Sequence, residues 1–327
     1  MTLELNLNLG SSFNLSKAPP LDKETLYDVL IIGGGPAGLN AALYSKRKGL
    51  AVGIIAKRMG GQVMDTSSVE NYLGTSSASG EGLVQQFEDH VKGLQIPITS
   101  DVEVERIQGG RVKKVFLTNG SVYKSKTVIL ATGSKPRKLK VPGEETYAGK
   151  GVAYCAICDG PLFADLDVVV AGGGNSAVEA ALDLSKTSSK VYLVHRSQLR
   201  ADQILVDKLH ETENIEVHTQ TQITAVVGQG VMEGIEATHK TSGDHKRIQA
   251  SGLFVEIGYD PNSDAFRSLV DLDDRGAIAI DQHNQTKEAG VFAAGDVTTV
   301  PYKQIIIAAS EGAKAALSAN EYIQKEY

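Results

Sequence analysis

The sequence predicts an α/β fold with two Rossmann-like nucleotide-binding units, and three observations carry the prediction. First, Asp28-Val-Leu-Ile-Ile-Gly33-Gly-Gly35-Pro36-Ala37-Gly38 reads as a short apolar strand, a glycine turn and a helix start. Second, the plan returns from Asp167 to Arg196, through Val168-Val-Val-Ala-Gly172-Gly-Gly174-Asn175-Ser176-Ala177. Third, a second strand completes each copy, Ala51 to Ile55 and then Val191 to Val194. Each copy is thus a βαβ unit of about 30 residues.

In both loops glycine permits a tight turn and lets backbone N–H groups approach a pyrophosphate at the helix N-terminus. The second loop ends in Ala177, which the pattern allows. One such loop alone also occurs as an unliganded turn. Two copies, each in strand–turn–helix context, predict two nucleotide sites.

The other elements fall around this repeat. Leu3, Leu5, Leu7 and Leu9 alternate with polar residues, a strand period, before Pro19 and Pro20. That N-terminal piece is expected to be either an added edge strand or a frayed tail. Strands are expected over Val102 to Ile107, Val112 to Leu117 and Thr127 to Leu130, with Asn119-Gly120 turning a hairpin. Comparable strands are expected at Ile215 to Val217, Ile223 to Val227 and Gly234 to Ala237. Ala131-Thr132-Gly133 and Phe254-Val-Glu-Ile-Gly258 each end a buried strand, and a final Ala-rich helix runs from about Gln304 to Tyr322.

Composition limits the function. At 327 residues the chain accommodates two domains, and 42% apolar with 22% charged residues describes a globular protein. A net charge of −6 argues against a nucleic-acid surface. No apolar stretch reaches the roughly 18 residues that span a bilayer, and the N-terminus lacks a signal-peptide pattern. A cytoplasmic setting without a membrane is expected.

The only two cysteines sit together in Tyr154-Cys155-Ala156-Ile157-Cys158-Asp159-Gly160. A zinc site needs further ligands that no second cysteine pair supplies, so no metal is expected. A permanent disulfide suits small secreted domains better than a long, cysteine-poor chain. A reversible redox pair is the reading that fits this setting.

With the loops and the cysteine pair stand Gly60-Gly61-Gln62-Val63, Val69-Glu70-Asn71-Tyr72, Val141-Pro142-Gly143 and Gly295-Asp296 through Glu311-Gly312-Ala313. Together they resemble the low-molecular-weight thioredoxin reductases. In places they are closer to the reductase portion of the flavoprotein component of bacterial alkyl hydroperoxide reductase. The resemblance covers approximately residues 25–325. It implies an FAD-binding domain split between residues 24–136 and 260–327, after an N-terminal extension of residues 1–23. A pyridine-nucleotide domain, residues 137–259, carries the cysteines, with hinges near Pro136 and Tyr259. A homodimer is also implied. Peroxide-reductase relatives carry an N-terminal thioredoxin-like region that this sequence does not show.

By the same resemblance, Gly33, Gly35, Pro36, Ala37 and Gly38 hold the FAD pyrophosphate. Gly61, Gln62 and Asn71 line the flavin, and Thr132, Gly133 and Gly295 complete the FAD-binding runs. Asp296 takes the ribityl chain, while Lys303, Gln304 and Ile305 open the last helix beside the flavin. Gly172, Gly174, Asn175, Ser176, Ala177, His195, Arg196 and Arg200 are implied for NADPH. Cys158 becomes the thiol nearest the flavin, Cys155 the interchange thiol and Asp159 the proton carrier. Simple turn-capping is the plain alternative for Asp159, as are capping for Gln304 and a solvated charge for Lys303.

Two departures from the pattern stand out. The strand after the first loop normally ends in an acid that binds the adenosine ribose, yet Lys57 occupies that place. The strand after the second loop runs His195-Arg196-Ser197-Gln198-Leu199-Arg200, with serine where NADPH-selective relatives carry a second arginine. The absent acid argues against strong NADH preference, and the two guanidinium groups favour NADPH unless they form a solvated basic turn.

The expected activity is flavin-dependent disulfide reduction, from NADPH through FAD and Cys155–Cys158 to thioredoxin or a glutaredoxin-like protein. Alternatives are supply of a peroxiredoxin system through a separate carrier, and electrons taken from ferredoxin or a second flavin. A redox-sensing nucleotide-binding module without turnover is the alternative from another class. A flavin-dependent ferredoxin–NADP reductase shares the fold but lacks the cysteine pair.

Overall fold

In the computed structural model, residues 18–66 and 69–327 are described. The alternating segment at residues 3–9 lies outside them. The described residues divide into two compact units: 18–64, 81–133 and 261–327 form one, and 65–66, 69–80 and 134–260 the other.

The first unit begins with β1 (Leu26–Gly34), α1 (Pro36–Arg47) and β2 (Val52–Met59), followed by α2 (Gly80–Gly93). Next come β3 (Ile98–Thr99), β4 (Val104–Gln108), β5 (Lys113–Leu117) and β6 (Val122–Leu130). β1 lies between β2 and β6, parallel to both, with Val29 opposite Val52 and Thr127. Its Val29, Leu30 and Ile31 are fully buried, as expected where helices and loops cover both faces of a parallel sheet. Each such side chain contributes about 1.5–3 kcal/mol, so the strand that delivers the first glycine turn is firmly held. β4, β5 and β6 form the predicted antiparallel extension, and Gly120 turns it with φ +81°.

In the second unit β7 (Ser134–Pro136) leads to β8 (Val152–Ala153), α3 (Ala156–Asp159), β9 (Asp167–Ala171) and α4 (Asn175–Leu184). Then follow β10 (Lys190–Val194), α5 (Gln203–Glu211), β11 (Ile215–His218), β12 (Thr221–Gln229), β13 (Val231–His239) and β14 (His245–Gln249). β15 (Gly252–Val255) and β16 (Tyr259–Pro261) end it. A parallel sheet runs β11-β10-β9-β15-β8, so the second glycine turn again leaves a central buried strand. β12, β13 and β14 make a separate antiparallel sheet, and β7 pairs with β16 where the chain passes between the units.

The chain then completes the first unit with β17 (Val291–Ala293), parallel to β6, and α6 (Ile305–Glu326). Small residues bring α6 onto α1. A Cβ on Gly312 would lie 2.0 Å from the Ala37 carbonyl oxygen, so only glycine allows that approach.

One core residue departs from apolar logic. Lys113 on β5 is fully buried, its Nζ has no hydrogen-bond partner among the described residues, and it sits 5.4 Å from the centre of the Tyr322 ring. Burial pushes its ammonium below the ordinary lysine value, with Glu288 working weakly the other way. The unfolded chain therefore binds the proton more tightly, and folding gains stability as pH rises through the lowered pKa towards about 10.5. Lys113→Met is expected to stabilise the fold by about 1–3 kcal/mol and to flatten that slope. Urea unfolding curves recorded at neutral and alkaline pH check both effects.

Candidate functional site

The first glycine loop joins β1 to α1. Gly33 has φ +125°, and a Cβ there would lie 2.1 Å from the Ala131 carbonyl oxygen. The backbone of Gly33 is thus pressed against the end of β6. Gly35 differs, because a Cβ there would meet nothing within 4 Å. It is the N-cap of α1 and brings no side-chain bond to the first-turn N–H groups. Pro36 opens the helix, where its missing N–H costs nothing. This cradle fits a pyrophosphate.

Other predicted residues gather at the same place. Gly61 turns with φ +60° after β2, and a Cβ on it would be 3.3 Å from the Gly35 Cα. Gln62 follows on the same turn. A Cβ on Gly295 would be 2.9 Å from the Ala37 methyl, so the Gly295-Asp296 turn packs on the start of α1. Burial pushes the Asp296 carboxyl up, with Lys303 acting against it. A desolvated acceptor of that kind suits sugar hydroxyl donors. Lys303 donates to the carbonyls of Thr298 and Val300 at 2.8 and 2.7 Å, so it braces this loop. Gln304 is the N-cap of α6 and caps it without a side-chain bond, and Ile305 is its first residue. Thr132 donates to the Asn262 carbonyl and fixes the turn at Gly133. Asn71 lies in residues 65–80, which group with the second unit.

The residue at the place of the missing acid carries an acid as its ion-pair partner. Lys57 pairs with Glu103 at 2.6 Å, which brings a carboxylate to the end of that strand. Sequence spacing carries no sign of it.

The second glycine loop repeats the design. Gly172 has φ +155°, and a Cβ there would lie 2.3 Å from the Glu256 carbonyl oxygen. Gly174, which caps α4, is open like Gly35. Asn175 exchanges two hydrogen bonds with Asp202, while Ser176 is exposed and Ala177 is buried beneath the loop. His195 is buried against Gly173 and pairs with the Ser197 hydroxyl at 3.0 Å. Burial first, then Arg200 and Arg196, lower its pKa. The Arg200 N–H donates to the Gly173 carbonyl at 2.7 Å, drawing the exposed Arg196–Arg200 turn onto the loop. Two guanidinium groups beside a pyrophosphate cradle fit an additional phosphate.

The cysteine pair lies in this second unit. Cys155 and Cys158 are bonded, with Cα atoms 5.3 Å apart. Cys155 caps the short helix α3, and its Sγ accepts the Cys158 backbone N–H at 3.2 Å. Asp159 occupies the N-cap of the turn Gly160–Phe163, as the capping alternative expects, but its side chain makes no cap bond there. Its carboxyl is pushed up to about 6 by burial. Among the described residues no group of His, Cys, Asp and Glu is arranged to hold a metal ion, and no helix is long and apolar enough to cross a membrane.

Three neighbours of the pair are not legible in the sequence. Glu144, buried, accepts the Leu139 and Lys140 N–H groups and the Tyr154 hydroxyl. Tyr259 donates its hydroxyl to the Tyr154 carbonyl at 2.6 Å. Glu256 accepts the Ala156 N–H at 3.2 Å. An acid inside the apolar run Phe254-Val-Glu-Ile is the only signal for the last.

Two glycine cradles, and a Cys155–Cys158 disulfide in the second unit, are the parts that a pyridine nucleotide-disulphide oxidoreductase needs. The family model described as pyridine nucleotide-disulphide oxidoreductase matches residues 27–312, and the chain belongs to that family. Its relatives bear out the resemblance seen in the motifs. The chain is 45% identical over 329 residues to the F component of alkyl hydroperoxide reductase from Xanthomonas campestris pv. phaseoli, covering 99% of this chain and 62% of that protein. It is 42% identical over 325 residues to a Bacillus subtilis protein named NADH dehydrogenase, covering 99% of this chain and 63% of that protein. The chain thus spans under two thirds of these relatives' length. Among solved structures, thioredoxin reductase from Streptococcus pyogenes is 36% identical with a TM-score of 0.87, covering 92% of this chain and 99% of that one. Members of this class bind FAD and use NAD(P)H, and both cradles fit such groups.

Proposed function

We propose that the chain carries an electron pair from NADPH, by way of FAD and the Cys155–Cys158 disulfide, to a disulfide in a small thioredoxin-like protein. The observation that carries this reading is the disulfide turn with a partly buried Asp159 beside it, its carboxyl pushed up to about 6. FAD, when bound, supplies a carrier that accepts hydride equivalents and releases an electron pair to a disulfide. The protein's own residues do the rest. Freed Cys155 thiolate attacks the partner disulfide and forms a mixed disulfide, expelling one partner thiolate, which takes a proton from Asp159. Asp159, now ionised, takes the proton of the Cys158 thiol, and the Cys158 thiolate attacks Cys155 Sγ, releases the second partner thiolate and restores the Cys155–Cys158 bond. One disulfide is reduced and one dithiol oxidised, so electrons balance.

NADPH is favoured by Arg196 and Arg200 beside the second cradle. The relatives named as the F component of alkyl hydroperoxide reductase support a second reading of the acceptor, a dithiol carrier that feeds a peroxide-reducing protein. The split domain organisation, a homodimer and a cytoplasmic location belong to the same proposal.

Anaerobic titration with NADPH, NADH and reduced ferredoxin tests the donor, and a thioredoxin-like disulfide protein added afterwards tests the outlet. NADPH is expected to bleach the flavin, and the disulfide protein to restore its colour. Absence of bleaching by NADPH would overturn the donor assignment. Asp159→Asn is expected to slow reoxidation by the disulfide about 10²-fold while leaving bleaching unchanged. It should also remove an ionisation near 6 from the pH–rate profile, because the group deprotonates there in the unsubstituted protein.

A further inference from the structure

Cys155 is held from both sides by one segment of chain. The residue before it, Tyr154, has its carbonyl bonded by the Tyr259 hydroxyl at 2.6 Å. The residue after it, Ala156, has its N–H bonded by Glu256 Oε1 at 3.2 Å. Glu256 itself continues the buried strand β15: its N–H donates to the Ala171 carbonyl, and its own carbonyl abuts Gly172. The clamp is therefore anchored in the parallel sheet and in the second glycine loop.

We propose that Glu256 is a positioning residue of the dithiol, fixing Cys155 through the Ala156 N–H and setting how readily the freed Cys155 thiol ionises. The proposal rests on reading Cys155 as the interchange thiol. Its physical basis is two acidic groups that each accept a backbone N–H of one four-residue turn. Cys155 Sγ accepts one backbone N–H of that turn, from Cys158, and Glu256 accepts another. Two anions so placed in a partly buried site repel, so the thiolate forms at least cost when Glu256 holds a proton. Opening the disulfide consumes two electrons, which the flavin chemistry of the class supplies, and one proton, and leaves one thiol and one thiolate. A second proton on Glu256 removes the charge that opposes the thiolate.

The surroundings favour that coupling. Burial pushes the Glu256 carboxyl up to about 7, while the Ala156 N–H works weakly downward. Titratable or charged groups near Glu256 include Asp159 on α3, Tyr154 with Glu144 on its hydroxyl, and Tyr259 on β16. Asp167 lies at the far end of β9, and Glu179 and Asp183 lie further along α4. Arg137, beside Gly258, is paired with Asp260 at 2.7 Å, and His195 packs on Gly173. Arg196 and Arg200 lie beyond it on the exposed turn.

The test uses the FAD-loaded protein, reduced and desalted without oxygen, and follows iodoacetamide labelling of Cys155 by peptide mass spectrometry from about pH 5 to 9. With Glu256→Gln the labelling midpoint is expected to fall, raising the rate near pH 6.5 by about threefold to tenfold. Tyr259→Phe removes the other half of the clamp without removing a carboxyl and is expected to leave the midpoint in place. A Glu256→Gln profile that superimposes on the unsubstituted one overturns the proposal, as does an equal shift from Tyr259→Phe. Should Glu256→Gln fail to fold, Asp159→Asn protein serves. It is expected to show two ionisations in its Cys155 profile, and a single one overturns the proposal. Cys155→Ser decides the underlying reading separately: full reduction of a partner disulfide by that variant would remove Cys155 as the outlet.

Discussion

Cys155→Ser and Cys158→Ser are each expected to cut disulfide-reductase turnover by at least about 10³-fold while the flavin is still bleached by its donor. Both sulfurs are half-buried on a short turn, and serine is close to their size, so the fold should survive. What disappears is the thiolate, since a serine hydroxyl does not ionise near neutral pH and cannot form a disulfide. The two variants should fail differently. With Cys158→Ser, Cys155 still attacks the partner but nothing resolves the product, so a stable mixed disulfide accumulates. With Cys155→Ser no such adduct forms. Non-reducing gel electrophoresis and mass spectrometry after mixing with a thioredoxin-like disulfide protein separate the cases. An adduct trapped by Cys155→Ser but not by Cys158→Ser would reverse the assigned roles.

The adjacency of the two cysteines is what makes this site legible in the sequence. The same holds for both glycine loops, whose chemistry sits in ten consecutive residues each. Strand β1, helix α1 and their repeats β9 and α4 are legible because local periodicity and a glycine turn coincide. Helix α6 runs to Glu326, four residues past the expected Tyr322, because helix ends are the part of an element that pattern reads least well.

Groups that arrive from far along the chain are invisible in the sequence for a physical reason. Glu256 stands 100 residues from the Ala156 N–H it accepts, and Tyr259 stands 105 from Tyr154. Only the order of strands in the sheet, with β15 beside both β8 and β9, brings them to the dithiol. Glu103 reaches the end of β2 in the same way, through Lys57. A sequence motif records what one turn needs, whereas these contacts are consequences of topology. Lys113 shows the converse: its strand is readable, but nothing in its neighbours announces that its side chain is enclosed.

The two kinds of glycine within each loop give the sharpest separation between fold and binding. Gly35→Ala is expected to leave the melting temperature of the FAD-free protein unchanged, because a methyl there meets nothing within 4 Å. It should weaken FAD binding about tenfold to a hundredfold, since the methyl enters the space through which the pyrophosphate reaches the helix N–H groups. Gly33→Ala should do the opposite. Its Cβ would lie 2.1 Å from the Ala131 carbonyl oxygen at a left-handed φ, and about 3 kcal/mol or more of stability should be lost with or without FAD. In the second loop, Gly174→Ala should yield yellow, folded protein that no longer binds the nicotinamide dinucleotide tightly. Gly172→Ala should press on the Glu256 carbonyl, 2.3 Å from the added methyl, and so disturb the clamp on Cys155 as well. Calorimetric melting of apo and loaded forms, with flavin and nucleotide titrations, reads all four. A Gly35→Ala protein that melts early yet binds FAD normally would show that the open face of the first loop is not the cradle.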